Sequence, residues 1–277
     1  MISAAFIMTC HNRRDLTLRC LRALNKIENC DDFSKKIYLV DDGSIDGTAD
    51  AVREEYPEVS LIEGDGTLYW CGGMRRAWQE ALIVGFDVYV WLNDDVELFD
   101  NAISDMLITY EQMRQQWGDK VIVSGSMLDP VTKKRSYGGA LWQPRKEVAI
   151  EPGNNPKEVQ IFAGNLVLVP QAVVDEIGIL ERRFTHGLSD YDYGLRARAR
   201  GVKLFIAAKY QGYCVANIGV KWVDPSLSLA KRWALLHSPK GPPPREYMFY
   251  AWRHKRKLVP MIIAKMYARV LLPRLFK

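Results

Sequence analysis

Three short segments of this 277-residue chain gather carboxylates, two of them where an apolar run ends, and the carboxylate is the residue type that can hold a cation or take up a proton. In the first, Leu39-Val40 gives way to Asp41-Asp42-Gly43-Ser44. A carboxylate there can accept from the imide N–H of uracil or thymine, although both acids also suit turn and cap positions. In the second, Tyr89-Val90-Trp91-Leu92 stops at Asn93-Asp94-Asp95. Adjacent carboxylates repel unless a cation intervenes, and their oxygens suit Mg2+ or Mn2+ bridging to a diphosphate. In the third, Ser189-Asp190-Tyr191-Asp192 precedes a helical pattern carrying Arg196, Arg198 and Arg200. Asp190 there can cap the helix, or act as a general base on an acceptor hydroxyl while a diphosphate departs.

The elements that must position these acids are legible as alternating patterns. Ala4–Thr9, Lys36–Val40, Val59–Ile62, Asp87–Leu92 and Val121–Ser124 read as strands. Leu16–Ile27, Ile45–Glu55, Met74–Val84 and Asn101–Gln116 carry helical spacing between them. This alternation predicts an α/β fold, a parallel sheet covered by helices, with ligands beyond the carboxyl ends of its strands. The acids lie at those ends. Residues 127–160 loosen into a loop or hairpin, a strand resumes at Ile161–Val169, and a helix over Tyr193–Arg200 stops at Gly201.

Composition narrows the class. Five cysteines without CxxC or Cys/His clustering indicate neither a disulfide framework nor a zinc site, and fit a reducing cytoplasmic setting. The start lacks a signal-peptide pattern, and no uncharged apolar run approaches the roughly 18 residues of a spanning helix. From Lys221 onward 13 Lys/Arg face two acids, so an acidic body ends in a basic tail that suits an anionic surface. Pro239-Lys240-Gly241-Pro242-Pro243-Pro244 separates a body, 1–238, from a helical segment, 239–277, interrupted by Pro260 and Pro273.

The order Thr9-Cys10-His11-Asn12-Arg13, Val40-Asp41-Asp42-Gly43-Ser44, Asn93-Asp94-Asp95, Ser189-Asp190-Tyr191-Asp192 resembles family 2 glycosyltransferases of the GT-A fold, over roughly residues 3–255. The resemblance implies a Rossmann-like, mostly parallel sheet flanked by helices, followed here by the helical tail. It implies that Thr9, His11 and Asp42 line a nucleoside pocket and that Asp94 faces ribose or sugar. Asp95 would bind Mn2+ or Mg2+, and Asp190 would be the catalytic base. Gly64-Asp65-Gly66-Thr67-Leu68-Tyr69-Trp70-Cys71-Gly72-Gly73-Met74 looks like the loop before the diphosphate-covering helix of rhamnosyltransferase-like or galactofuranosyltransferase-like members. In physical terms, Gly66 and its neighbours permit close backbone approach to phosphate.

This chain departs from the pattern at Asn93 and Ser189, and Asn217 stands near where the family often carries a histidine metal ligand. Trp142, Trp222 and Tyr137 suit either sugar stacking or packing, and His237 and His254 do not read as ligands. The expectation is an inverting, metal-dependent transferase using a UDP- or dTDP-sugar and a glycan or lipid-linked glycan acceptor in cell-surface polysaccharide synthesis. It would be cytoplasmic, with its tail at an anionic membrane face or in a homo-oligomer, and would have no nucleic-acid partner. The alternative is a non-catalytic nucleotide-sugar or glycan binding protein on the same fold. A nucleotidyltransferase is disfavoured because Thr9–Arg14 lacks the glycines such a loop needs.

Overall fold

The apolar runs form strands because both faces of the sheet are covered. A computed structural model describes residues 2–27, 33–142, 147–217 and 222–276. Cys30, Pro144, Ile218 and Gly219 lie outside the described residues. In chain order the first half holds β1 (Ile2–Cys10), α1 (Arg14–Asn25), β2 (Phe33–Asp41), α2 (Thr48–Glu55) and β3 (Ser60–Glu63). Next come α3 (Tyr69–Val84), β4 (Val88–Leu92), β5 (Glu97–Leu98), α4 (Ala102–Trp117), β6 (Val121–Ser124), β7 (Met127–Leu128) and β8 (Arg135–Tyr137). Then follow β9 (Gly139–Trp142), β10 (Glu147–Ala149), β11 (Lys157–Glu158), β12 (Ile161–Phe162) and β13 (Leu166–Pro170). The chain continues through α5 (Gln171–Ile177), α6 (Ser189–Ala199), β14 (Lys203–Ile206) and β15 (Gly212–Tyr213). It closes with α7 (Leu229–His237), α8 (Pro244–His254) and α9 (Val259–Leu271), with short 3-10 turns at Arg256–Leu258 and Pro273–Phe276.

The main sheet runs β11-β14-β6-β13-β4-β1-β2-β3. Its pairs β4–β1, β1–β2, β2–β3 and β6–β14 are parallel, whereas β13 runs antiparallel to both β4 and β6. This is the mostly parallel α/β sheet that the alternation predicts. Helices α1, α2 and α4 cover one face through Leu21, Val52 and Met106. On the other, Trp78 of α3 and Tyr193 of α6 pack their rings 5.4 and 5.1 Å from Trp91 of β4. Burying such rings contributes about 2–3 kcal/mol each in transfer energy. Gly73 lets α3 lie directly on β1, since a Cβ there would overlap the Thr9 side chain.

Three element boundaries differ from the pattern-based expectation, each for a visible reason. The strand expected over Ile161–Val169 breaks into β12 and β13 at Ala163-Gly164-Asn165. There the Gly164 N–H leaves the ladder to donate to Asp190, and the Asn165 carbonyl accepts from Asn93 N–H. Helix α6 starts at Ser189, with Leu188 (φ 67°) as its cap residue, so Asp190 sits in the first turn rather than before the helix. Pro260 lies in the first turn of α9, where its missing N–H costs nothing, and so opens that helix instead of interrupting it.

Candidate active site

The carboxyl ends of β1, β2 and β4 meet the start of α3 and α6. At the end of β2 the backbone turns through Gly43 (φ 69°), and a Cβ on Gly43 would lie 2.8 Å from Gly66 N. The two glycine turns therefore nest. Asp42 joins them: its carboxylate accepts from Gly66 N–H (2.9 Å), Leu68 N–H (3.2 Å) and Tyr69 N–H (2.8 Å). Only 3% exposed, Asp42 shapes the 64–69 loop with the side chain that the resemblance assigns to the nucleoside. His11 donates from Nδ1 to the Asp42 carbonyl (2.6 Å), which leaves Nε2 to accept from the Asn12 amide at 3.0 Å. Thr9 is buried beneath Gly73. So Thr9 and Asp42 hold the wall, while His11 is exposed at its rim.

At the end of β4 the three polar residues diverge. Asn93 turns toward α3, its Oδ1 accepting from Trp70 Nε1–H at 2.7 Å. Asp94, 4% exposed, faces α1, meeting Arg13 at 3.1 Å and the Thr17 hydroxyl at 3.5 Å. Burial pushes its carboxyl up to about 7, with Asp95 adding to the rise and Arg13 opposing it. The expectation that Asp94 faces a sugar thus meets a buried side chain turned to a helix. Asp95 is the more exposed; one oxygen pairs with Arg13 at 2.9 Å and the other accepts from the Cys214 thiol at 3.6 Å.

One guanidinium therefore balances both acids. Among the described residues no three His, Cys, Asp or Glu side chains gather as a metal cage. A cation at Asp95 would take its other oxygens from a ligand, as Mg2+ does between one or two carboxylates and substrate phosphates. The donor set fits that mode once Arg13 swings aside.

Asp190 completes the group. Its oxygens accept from Gly164 N–H (3.0 Å) and Tyr191 N–H (2.9 Å), and no cation pairs with it among the described residues. Burial raises its carboxyl to about 6, offset in part by those two N–H groups. Trp70 connects this acid to the β4 end: its indole N–H holds Asn93 while its ring lies under Gly164, where a Cβ would come within 2.8 Å. Two residues on, Asp192 is a different kind of acid. Burial would raise it, yet His254, Arg196 and Arg253 hold it below the usual carboxylate range. Arg253 and His254 belong to α8, whose Glu246 also accepts from the Thr185 backbone at 3.0 Å and its hydroxyl at 2.7 Å. Helix α8 is thereby bolted to the helix that carries Asp190.

Arg13, Trp70 and Cys214 were missed as site residues. Spacing gives Arg13 no role, and Cys214 belongs to no motif until the fold sets it beside Asp95. Asn217 is exposed, and its backbone N–H donates to the Tyr137 hydroxyl at 2.7 Å. Trp142 lies 4.9 Å beneath the Lys255 ammonium, beside the Tyr191–Glu147 hydrogen bond of 3.0 Å. Gly66, at φ 84°, takes the left-handed backbone that the absence of a Cβ permits.

Residues 5–178 match the description "Glycosyl transferase family 2". Among solved structures, GalNAc-T7 with UDP, GalNAc and Mn2+ is similar at a TM-score of 0.62 and 14% identity, over 86% of this chain and 48% of that one. This chain thus spans about half its length. The mannosyltransferase PcManGT from Pyrobaculum calidifontis, in complex with GDP-Man and Mn2+, is similar at 0.54 and 16% identity, over 96% and 73% of the two chains. TarS residues 1–349 from S. aureus, in complex with UDP-GlcNAc, is similar at 0.54 and 11%, over 97% and 72%. These likenesses show the fold. No curated protein sequence matches the chain.

Proposed function

The chain belongs to glycosyl transferase family 2, and on that footing we propose that it moves one sugar from a UDP- or dTDP-sugar to a hydroxyl of a glycan or lipid-linked glycan. The observation that supports this most is the convergence of two unlike acids. Asp95 is exposed enough to meet a cation, and Asp190 is raised to about 6 with no cationic partner among the described residues; Asn93, Trp70 and Gly164 link them. Asp190 accepts the acceptor hydroxyl proton as the new oxygen–carbon bond forms at the anomeric carbon. The bond from that carbon to the diphosphate oxygen breaks, and the nucleoside diphosphate leaves with the electron pair. A single base and one displacement give inversion.

When bound, Mn2+ or Mg2+ would be held by Asp95 and would offset the charge of the leaving diphosphate. Arg13, released from the acids, then carries its positive charge beside the same phosphates. The loop from Gly64 to Tyr69, fixed by Asp42, presents the N-terminus of α3 to the diphosphate. The enzyme would be cytoplasmic and serve cell-surface polysaccharide synthesis, with a rhamnosyl- or galactofuranosyl-type donor suggested by that loop.

Arg13 closing both acids also favours a second reading, a nucleotide-sugar-binding protein that performs no transfer. A panel of nucleotide sugars, assayed with Mn2+ or Mg2+ for thermal stabilisation and for nucleoside diphosphate release, decides between them. Stabilisation with turnover supports transfer. Stabilisation without turnover on any glycan acceptor supports binding alone, and no stabilisation by any nucleotide overturns both.

A further inference from the structure

Helix α9 is apolar on two sides. Its inner stripe, with Met266 at 6% and Val270 at 0% exposure, packs against α7 and α8, where Arg232 Nε donates to the Val270 carbonyl at 2.9 Å. The outer stripe is bare. Leu258, Met261, Leu271, Leu272 and Leu275 are 36, 57, 53, 55 and 74% exposed. Met261 and Leu271 lie within α9 on the side away from Met266 and Val270, with exposed Ala264 and Lys265 between them; Leu258 ends the 3-10 turn before the helix, and Leu272 and Leu275 follow its last residue. Exposed Arg256, Lys257, Lys265 and Arg274 border that stripe. From Tyr247 to Lys277 the sequence contains eight Lys/Arg and no acid.

We infer that this outer face lies in the plane of an anionic bilayer, its leucines and Met261 among the acyl chains and its Lys/Arg among the headgroups. Apolar contact explains the bare stripe, and charge selects the occupant. A two-fold contact between copies sets the same face against itself, cations facing cations with no acid to pair them. A layer of anionic headgroups neutralises all of them. No helix among the described residues is long and apolar enough to cross a membrane, so attachment in the plane is the mode open to this segment.

The clamps on α8 give the docking a geometry. The Arg253–Asp192 and His254–Asp192 pairs, at 3.0 and 2.8 Å, tie the C-terminal helices to α6, two residues from Asp190. The bilayer would thus stand at a fixed orientation to the base and, if the transfer reading holds, present a lipid-linked acceptor to it. Docking itself does not depend on that reading.

Sedimentation with phosphatidylserine–phosphatidylcholine vesicles, and with phosphatidylcholine alone, tests the surface without any nucleotide. The full chain is expected to pellet with the first and not the second, and to be released as salt screens the surface. Met261→Glu combined with Leu275→Glu alters only exposed positions and should cut partition by roughly a hundredfold while leaving the thermal unfolding midpoint unchanged. Lys265→Glu with Arg274→Glu should cut it by roughly thirtyfold. Equal partition of wild type and both double variants overturns the inference. So does a concentration-dependent dimer, seen by sedimentation velocity, that Met261→Glu/Leu275→Glu dissolves. Transfer assays on a soluble acceptor are expected to be unaffected, so loss of vesicle binding and loss of transfer are told apart.

Discussion

Two acidic turns in this molecule are built alike in sequence and oppositely in electrostatics. At the end of β4, Asp94 and Asp95 share one cation, Arg13, from a residue whose side chain is 46% exposed. At the start of α6, Asp192 is enclosed by Arg196, Arg253 and His254 from two helices, and is itself 0% exposed. Among the described residues Asp190 accepts only backbone N–H groups. A carboxylate saturated by several fixed cations is part of the frame. One balanced by a single withdrawable cation is ready for a ligand, and one with no cation is free to take a proton. Residue type alone does not separate the three; the count and origin of partners does.

The comparison breaks most visibly at Asp190. Asp190→Asn is expected to keep donor binding and lower transfer by about 10²- to 10⁴-fold, measured as turnover at saturating donor and acceptor. Wild-type transfer should also lose roughly tenfold per unit as pH falls below about 6, because burial raises this carboxyl and only its ionised form accepts a proton. A wild-type rate in the variant, or a flat profile down to pH 4, removes Asp190 from the chemistry.

Asp192→Ala should act on the frame instead. Stripping the partner from buried charges typically costs about 3–5 kcal/mol, so its denaturant midpoint should fall steeply. Any folded fraction should still bind nucleotide, because Asp192 meets α8 and not the loops. An unchanged midpoint would show that the arginines need no buried partner.

Smaller still is the expected effect at the β4 end. Asp95→Ala should abolish the gain in UDP or dTDP affinity that Mn2+ confers in calorimetry, whereas Asn93→Ala should keep most of it. Arg13→Ala should strengthen Mn2+ binding roughly tenfold in the absence of nucleotide, by freeing both acids of their counter-ion. Equal metal enhancement in wild type and Asp95→Ala moves the cation elsewhere.

How much of this could be read beforehand divides along the same line. Apolar runs ending in acids announce strands whose tips turn polar, since polarity changes within one residue at Leu92–Asn93 and Val40–Asp41. That sufficed for β1 to β4, for the mostly parallel sheet and for the set of candidate acids. The partners of those acids come from far along the chain. Cys214 reaches Asp95 across 119 residues, and Gly164 meets Asp190 across 26. Neither contact leaves a periodic trace, so the strand break at Gly164 and the role of Arg13 were invisible to spacing. The bare side of α9 was hidden for a related reason: hydropathy reports that a helix has apolar faces, while only packing shows which of them a neighbour covers.

Thr9 and Gly73 illustrate how such contacts bind the future of a sequence. Because α3 rests on β1 with no room for a Cβ between them, position 73 cannot grow alone. A larger residue at 73 is tolerable only where 9 has first become smaller, and any such exchange shifts the helix whose first turn Asp42 anchors. Descendants of this chain should therefore carry a side chain at 73 only beside a smaller residue at 9, and the wall between β1 and α3 changes shape in ordered steps.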